Sequence, residues 1–510
     1  MSQSGSSGRR VPNVPEEQLL LSELGPVRNG VTITPTRAAA AATAAKRGGT
    51  EFEKQPFLAT TEPVRLTPAW EETNLPNDEL NFKGVTMEQA QLEMNPPNDR
   101  LNLVYLTLML HGIGTLMPWN MFITAKEYFE DYKLSEEYTG AKYDYASNFM
   151  LYLTFASQVP NLVFNWLNIF VKIGGNLTTR IVWSIFFEVL LFVVTVILAM
   201  SDSSQWPGIF FWVTMCTAIG LNMANGIYQN TVFGMAAKLP FKYTGAVVLG
   251  SNVSGTFTAI INLASKFFAP NTRTAAIYYF ITALFVLLAC FDTYFALPLN
   301  RFYKYHELLS QKDAQEKKTA SGSSTNKIPY CKIFKQCFPQ CFNVFMVFVV
   351  TLSIFPSLHS GIQKSDKDFF VGDEYYVNVM CFLTFNVCAM IGSSLPSLGT
   401  WPKPKYLVIP VMLRLLFIPL FVLFNYQPIG QSRIFPVLIA NDWVYWGAAV
   451  LFALSSGYFS SLGMMYCPRT VEPHYAPTAG MFGAASLITG IFCGILLSFI
   501  FPWFVTNVSL

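Results

Sequence analysis

Uncharged carboxamides at helical spacing inside apolar runs are the residues of this chain best suited to bind a solute. Asn222, Asn225 and Gln229 stand at i, i+3 and i+7 in one run, and Ser254, Thr258, Asn262 and Lys266 follow at successive fours in the next. Ser353, Ser357 and Ser360 mark a later run, and Asn386 and Ser393 the one after it. Within a membrane, polar side chains are costly unless they face other helices or water. Such a stripe therefore either lines a wet cavity of neutral donors and acceptors or ties helices together with no ligand between them. Lone hydroxyls fit the second role, and three amides on one face fit the first. Trp119, beside Pro118 in HGIGTLMPWN (His111 to Asn120), could stack on a flat ring or anchor its helix at the interface.

Reactive groups are few. Glu188, Asp292 and Arg414 are the charged residues inside apolar runs away from the ends of those runs. A charge at the centre of a lone helix costs about 2.5–3.5 kcal/mol, so each should face protein or water. Glu188 either supplies a titratable acid to the site or hydrogen-bonds a neighbouring helix. His111, His359 and His474 sit in separate elements with no partner at i+3 or i+4, so no metal site is expected. Cys331, Cys337 and Cys341, spaced C-x5-C-x3-C, read as unmodified thiols, with acylation as the alternative. With no GxxxxGK[ST] loop, neither an ATP-driven step nor a cofactor is expected.

The elements that must position these residues follow from composition. The 510 residues are 52% hydrophobic and 13% charged, which excludes a soluble enzyme, and a net charge of +3 gives no basis for a nucleic-acid partner. Residues 1–100 hold 23 of the 65 charged residues and no sustained apolar period, and they read as a disordered cytosolic tail with no cleaved signal peptide. Beyond it, apolar runs long enough to cross a bilayer recur at 101–125, 146–171, 181–200, 207–236, 244–267, 275–298, 342–362, 375–400, 406–425, 442–465 and 478–504. Eleven spans are thus expected, in an all-α polytopic arrangement. A polar linker at 299–341 divides an amino-terminal six-helix bundle (101–298) from a carboxyl-terminal five-helix bundle (342–510). With the tail inside, inner connections carry 15 Lys or Arg and outer ones eight, which puts the amino terminus in the cytosol and the carboxyl terminus outside. Eight of those 15 lie in the linker, so the orientation rests largely on it. No cysteine falls in an outer connection, so no disulfide framework is expected.

GIGTLMPWNMFITAKEYF (Gly112 to Phe129), CFLTFN (Cys381 to Asn386), RLLFIPLFVLFNYQP (Arg414 to Pro428) and GYFSSLGMMYCPRTVEPHYAPTAG (Gly457 to Gly480) occur in order along 101–505. Together they resemble the equilibrative nucleoside transporters, solute carrier family 29. The resemblance implies a major-facilitator-like fold and facilitated diffusion of nucleosides, with protons or organic cations handled by some members. Residue by residue, it implies that Leu116 and Trp119 lie beside the base and that Gln229 binds it. Gln158 and Asn161, flanking Pro160, hold second-span positions that are apolar in well-known members, and Arg180 matches an arginine near the start of the third span. The eighth span departs from the pattern. Members resemble FNxxDxxGR, whose acid and base grip ribose and help to gate. Here the stretch is FNVCAMIGSS, so Ala389 replaces the acid and Ser393 the base. Losing both is coherent, because losing one would strand the other unpaired in a dry site.

The expected protein is therefore a facilitative nucleoside carrier working by alternating access, without enzymatic activity. Its substrate contacts are Leu116, Trp119, Gln158, Asn161, Asn225, Gln229 and Asn386. The alternatives are a carrier of nucleobases, organic cations or another small solute on the same fold, or a transport-impaired sensor or scaffold. Plasma-membrane residence is expected, but EEQLLL fits the ExxxLL pattern at Glu16, Leu20 and Leu21, through which a clathrin adaptor would direct the chain to late endosomes or lysosomes.

Overall fold

The computed structural model describes residues 97–508, with short breaks at 142, 144, 146–147, 172–174, 270, 322–327 and 429–431. The expected tail, with Glu16, Leu20 and Leu21, lies outside the described residues.

Apolar runs fold as helices because a bilayer offers backbone groups no partner but one another. The first half comprises α1 Leu103–Thr124, α2 Phe149–Phe170, α3 Leu177–Met200, α4 Pro207–Ala236, α5 Phe241–Phe268 and α6 Thr272–Ala296. The second comprises α7 Tyr330–Ile354, α8 at 373–394, α9 Val408–Leu423, α10 Asp442–Tyr466 and α11 Ala476–Ser498. Among the described residues there is no strand, only an isolated bridge between Ile362 and Tyr426. Nine described helices are long and apolar enough to cross a membrane. The helices at the other two expected positions miss that standard for local reasons: α2 carries Gln158, Asn161, Asn165 and Asn168, and α9 is short, with a 3-10 turn at Arg414–Leu416. Helix α8 also departs from regularity, passing through a π-helical stretch at Asn378–Leu383 before Thr384–Ser394.

Helix α7 begins at Tyr330 rather than at the expected 342, taking Cys331, Cys337 and Cys341 into the helix. The linker holds a helix of its own, Arg301–Ser321, and the Lys238 Nζ to Glu307 Oε1 pair (3.0 Å) fastens it to the end of α4. At the other end of the bundle, Lys133 Nζ donates to Ser201 O (2.6 Å) and Tyr138 OH donates to Asp202 Oδ1 (2.8 Å). Donation from the Ser204 N–H and from Tyr138 holds the Asp202 carboxyl down at about 2.

Packing within each half is tight. Helix α1 lies against α5 backbone to backbone. A Cβ on Gly112 would stand 2.2 Å from Val247 O, and one on Gly250 1.9 Å from Met109 O, so only glycine allows this approach. Asp99 accepts from the Val104 and Tyr105 N–H groups at the start of α1 and from Tyr243 OH of α5, capping one helix with a side chain that also binds the other. In the second half α7 packs on α11 and α10, and α8 on α10. The halves meet through α4 and α2 against α11, and through α5 against α8 and α10.

Candidate functional site

Helices α2 and α4 run side by side in the same direction and face each other with amides. Asn165 Nδ2 donates to Gln229 Oε1 (3.5 Å), Asn230 Nδ2 donates to Asn165 Oδ1 (2.9 Å), and a Cβ on Gly226 would meet Asn161 O at 2.8 Å. That register sets Asn161 level with Asn225, and Gln158 with Asn222. All of these amide side chains are buried. The ladder has two tiers. Toward the linker end, Asn168 Nδ2 donates to Asn230 Oδ1 and Thr231 Oγ1 (3.0 Å each), and Arg180 Nη1 donates to both oxygens of Asn168 (3.0 Å each). This tier is saturated and structural. One turn away, Gln158 Oε1, Asn161 Oδ1, Asn222 Oδ1 and both polar atoms of Asn225 have no hydrogen-bond partner among the described residues. Orphaned buried amide atoms cost about 1–3 kcal/mol each, so the second tier is built to be completed by something else.

On the other side, α1, α5 and α8 form a second chain of contacts. Leu116 and Trp119 of α1 are half-buried. Asn120, next to Trp119, donates from Nδ2 to Ser254 Oγ of α5 (3.1 Å). The next residue, Gly255, lies so close to Asn386 of α8 that a Cβ there would be 2.2 Å from Asn386 Oδ1, while Asn386 Nδ2 is spent on Phe382 O (2.9 Å). Asn386 thus reaches the first half through a glycine. Ala389 and Ser393 are buried one and two turns further on against α10, where a Cβ on Gly457 would stand 2.0 Å from Ala389 O. Ser393 Oγ donates to Met390 O of its own helix (2.9 Å). The side chains of Asn262 and Lys266 lie outside those described.

Glu188 is fully buried in α3, which packs on α4 and α6. It lies within electrostatic range of Tyr228 and Cys290, and neither of its oxygens has a hydrogen-bond partner among the described residues. Tyr228 OH meets His111 Nδ1 at 2.7 Å. The group sits inside the first half, behind α4. Arg414 is equally buried and gives its donors to Val347 O, Thr351 Oγ1, Phe452 O and Ser455 Oγ, tying α9 to α7 and α10. His359 is enclosed by Phe355, Phe421, Tyr445 and Phe452.

At the linker end the halves are closed upon each other. Asn230 Nδ2 donates to Met481 O of α11 (2.8 Å), Trp166 Nε1 to Thr489 Oγ1 (2.9 Å), and the Arg469 guanidinium lies 4.4 Å from the centre of the Phe241 ring. The amide ladder thus sits just above a seam that must part for solute to pass. Asn165, Asn168 and Asn230 were not among the expected contacts. The first two were readable, since with Gln158 and Asn161 they fall at i, i+3, i+7 and i+10, whereas Asn230 lies one residue off the α4 stripe.

Residues 213–503 match the family described as nucleoside transporter. Equilibrative nucleoside transporter 2 of Homo sapiens is 32% identical over 448 residues, 78% of this chain and 96% of its own length. Equilibrative nucleoside transporter 1 of Homo sapiens is 29% identical over 446 residues with the same coverage, and equilibrative nucleoside transporter 3 of Rattus norvegicus 28% identical over 422 residues. Among solved structures, a major facilitator superfamily proton:xylose symporter superposes with a TM-score of 0.57 at 12% identity, covering 80% of this chain and 90% of that one, a likeness of fold alone. The curated relatives are transporters rather than enzymes. With collinear motifs, a bundle in two halves and an amide-lined site between helices, this chain belongs to the equilibrative nucleoside transporter family.

Proposed function

We propose that this chain carries nucleosides down their gradient by rocking its two halves about the α2–α4 amide ladder. The observation that carries the reading is the orphaned tier: a nucleoside base offers alternating donors and acceptors that complete Gln158, Asn161, Asn222 and Asn225, with Gln229 at its edge. Leu116 and Trp119 supply the apolar face for the ring, and Asn386 contributes from the second half on the sugar side. The orphaned tier carries no formal charge, which fits a neutral solute; a desolvated phosphate would demand Arg or Lys there, and Arg180 is spent on Asn168 in the saturated tier. Ala389 and Ser393, packed against α10, leave ribose recognition to neutral groups.

Radiolabelled uridine and adenosine uptake in cells lacking endogenous carriers tests this, with Ala389→Asp plus Ser393→Arg alongside. Saturable flux in the wild type supports the reading. Flux in the double variant alone would favour a transport-impaired chain. We place the protein in the plasma membrane with its amino terminus in the cytosol. Surface labelling of the wild type and of Leu20→Ala plus Leu21→Ala checks this: a rise in surface fraction only on removing the leucines would assign it to endosomal membranes.

A further inference from the structure

Three thiols, two of them one turn apart on α7 and the third 126 residues later, converge at the linker end. Cys341 Sγ lies 3.7 Å from Cys337 Sγ, one turn earlier on α7, and 3.6 Å from Cys467 Sγ, which opens the 3-10 turn Cys467–Thr470 after α10. All three sulfur atoms lie within 4.8 Å of one another, and all three residues are buried. Their shell is mainly apolar, formed by Ile169 of α2, Ile333 of α7, and Ala479, Met481, Phe482 and Ala485 of α11, with the Ala479 carbonyl accepting from Cys467 Sγ (3.2 Å) and the Ser486 hydroxyl beside Cys341. Cys331, which the sequence grouped with Cys337 and Cys341, is exposed and apart. Metal–sulfur bonds of about 2.3 Å place sulfur atoms about 3.8 Å apart at tetrahedral angles and about 4.0 Å apart in a trigonal plane. The separations of 3.7 and 3.6 Å already approach those values without any movement of the backbone.

We propose that Cys337, Cys341 and Cys467 form a three-sulfur site for copper(I). Sulfur-only ligation selects soft ions. Structural zinc is almost always four-coordinate, and among the described residues no fourth His, Cys, Asp or Glu joins the group. Copper enters as copper(I) and no electron moves. Each thiol that ligates as thiolate exchanges its S–H bond for a metal–sulfur bond and releases its proton to solvent, so binding strengthens as pH rises. The loaded site pins α7 to the turn between α10 and α11, on the wall of the seam facing Ile169.

The test uses the full chain, purified in detergent, reduced and kept free of oxygen, and titrated with copper(I) held as its bicinchoninate complex. Expected is withdrawal of one copper(I) per chain by the wild type and by Cys331→Ala. Affinity should fall about tenfold or more in Cys337→Ala, Cys341→Ala and Cys467→Ala. X-ray absorption at the copper edge of the loaded wild type, which needs no variant, should show sulfur neighbours alone. No withdrawal by the wild type, undiminished affinity in Cys341→Ala, a nitrogen or oxygen neighbour, or displacement by equimolar zinc would each overturn the assignment. None of these readouts depends on transport.

Discussion

Replacing Asn230 by leucine removes a bond that must break whenever the linker end opens. Asn230 makes two kinds of contact: with Asn165 and Asn168 inside the first half, and with Met481 O across the seam. The first kind persists in every state of a rocking carrier and affects only stability. The second exists only while this end is shut. Interhelical hydrogen bonds in membranes average about 0.6 kcal/mol and reach about 1.7 kcal/mol, so losing one raises the open fraction about threefold to about eighteenfold. Leucine keeps the branching and the number of side-chain heavy atoms of asparagine but is bulkier, so some loss of stability accompanies the change. Cys467 reports the change, because it is buried in the same seam and reacts with a maleimide only when the seam parts. Its alkylation, followed by mass spectrometry of the Cys467 peptide, should accelerate by that factor, while exposed Cys331, at the start of α7, reacts as before. Asn165→Leu, which lacks a bond across the seam, should lower the melting temperature and leave the Cys467 rate unchanged. A rate in Asn230→Leu equal to the wild type, despite lowered stability, would refute the assignment of this bond to a moving seam.

Other substitutions separate binding from stability. Asn225→Leu deletes two orphaned atoms and should stabilise the protein by about 2 kcal/mol or more in a thermal melt, while the uridine KM rises about twofold to about thirteenfold. Gly255→Ala drives a Cβ into Asn386 Oδ1 and should depress the melting temperature, with Asn386→Ala restoring it; no rescue would mean that the clash lies elsewhere. Uptake against pH in Glu188→Gln should differ in profile from the wild type if this carboxyl takes up protons during transport, and identical profiles would end that role. Asp202 is held low, so the stability it lends to the 201–206 loop is present above the usual carboxylate range and is lost only as pH falls through about 2. Hydrogen exchange in that loop, corrected for intrinsic rate, should therefore be unchanged between about pH 7 and about pH 5.

Helix positions were legible because a run of apolar residues can do little else in a membrane, and Pro207–Ala236 starts and stops where its sequence says. The start of α7 was not, because KIFKQCFPQC carries lysines and a proline that read as a loop until Cys337 and Cys341 find apolar cover from α2 and α11. The linker helix was not legible since its apolar residues, Phe302 and Tyr303 among them, lie near its start and a charged stretch without apolar period follows. At the site, Asn225 and Gln229 could be picked out from spacing alone. Which amides are saturated could not, because that depends on the register of α2 against α4, a property of two helices. The meeting of Cys467 with Cys341, 126 residues away, is likewise beyond any local pattern.

The glycine contact between α1 and α5 leaves no slack between these helices, since Val247 O and Met109 O fill the space where side chains would otherwise cushion sliding. On the binding role proposed for Trp119, a solute that draws its ring toward itself hauls α5 along. Because Gly255 on α5 abuts Asn386, the pull is handed to the opposite half without any charged lever. Recognition and the start of the closing stroke become one mechanical event, in a carrier whose eighth helix bears neither the acid nor the base.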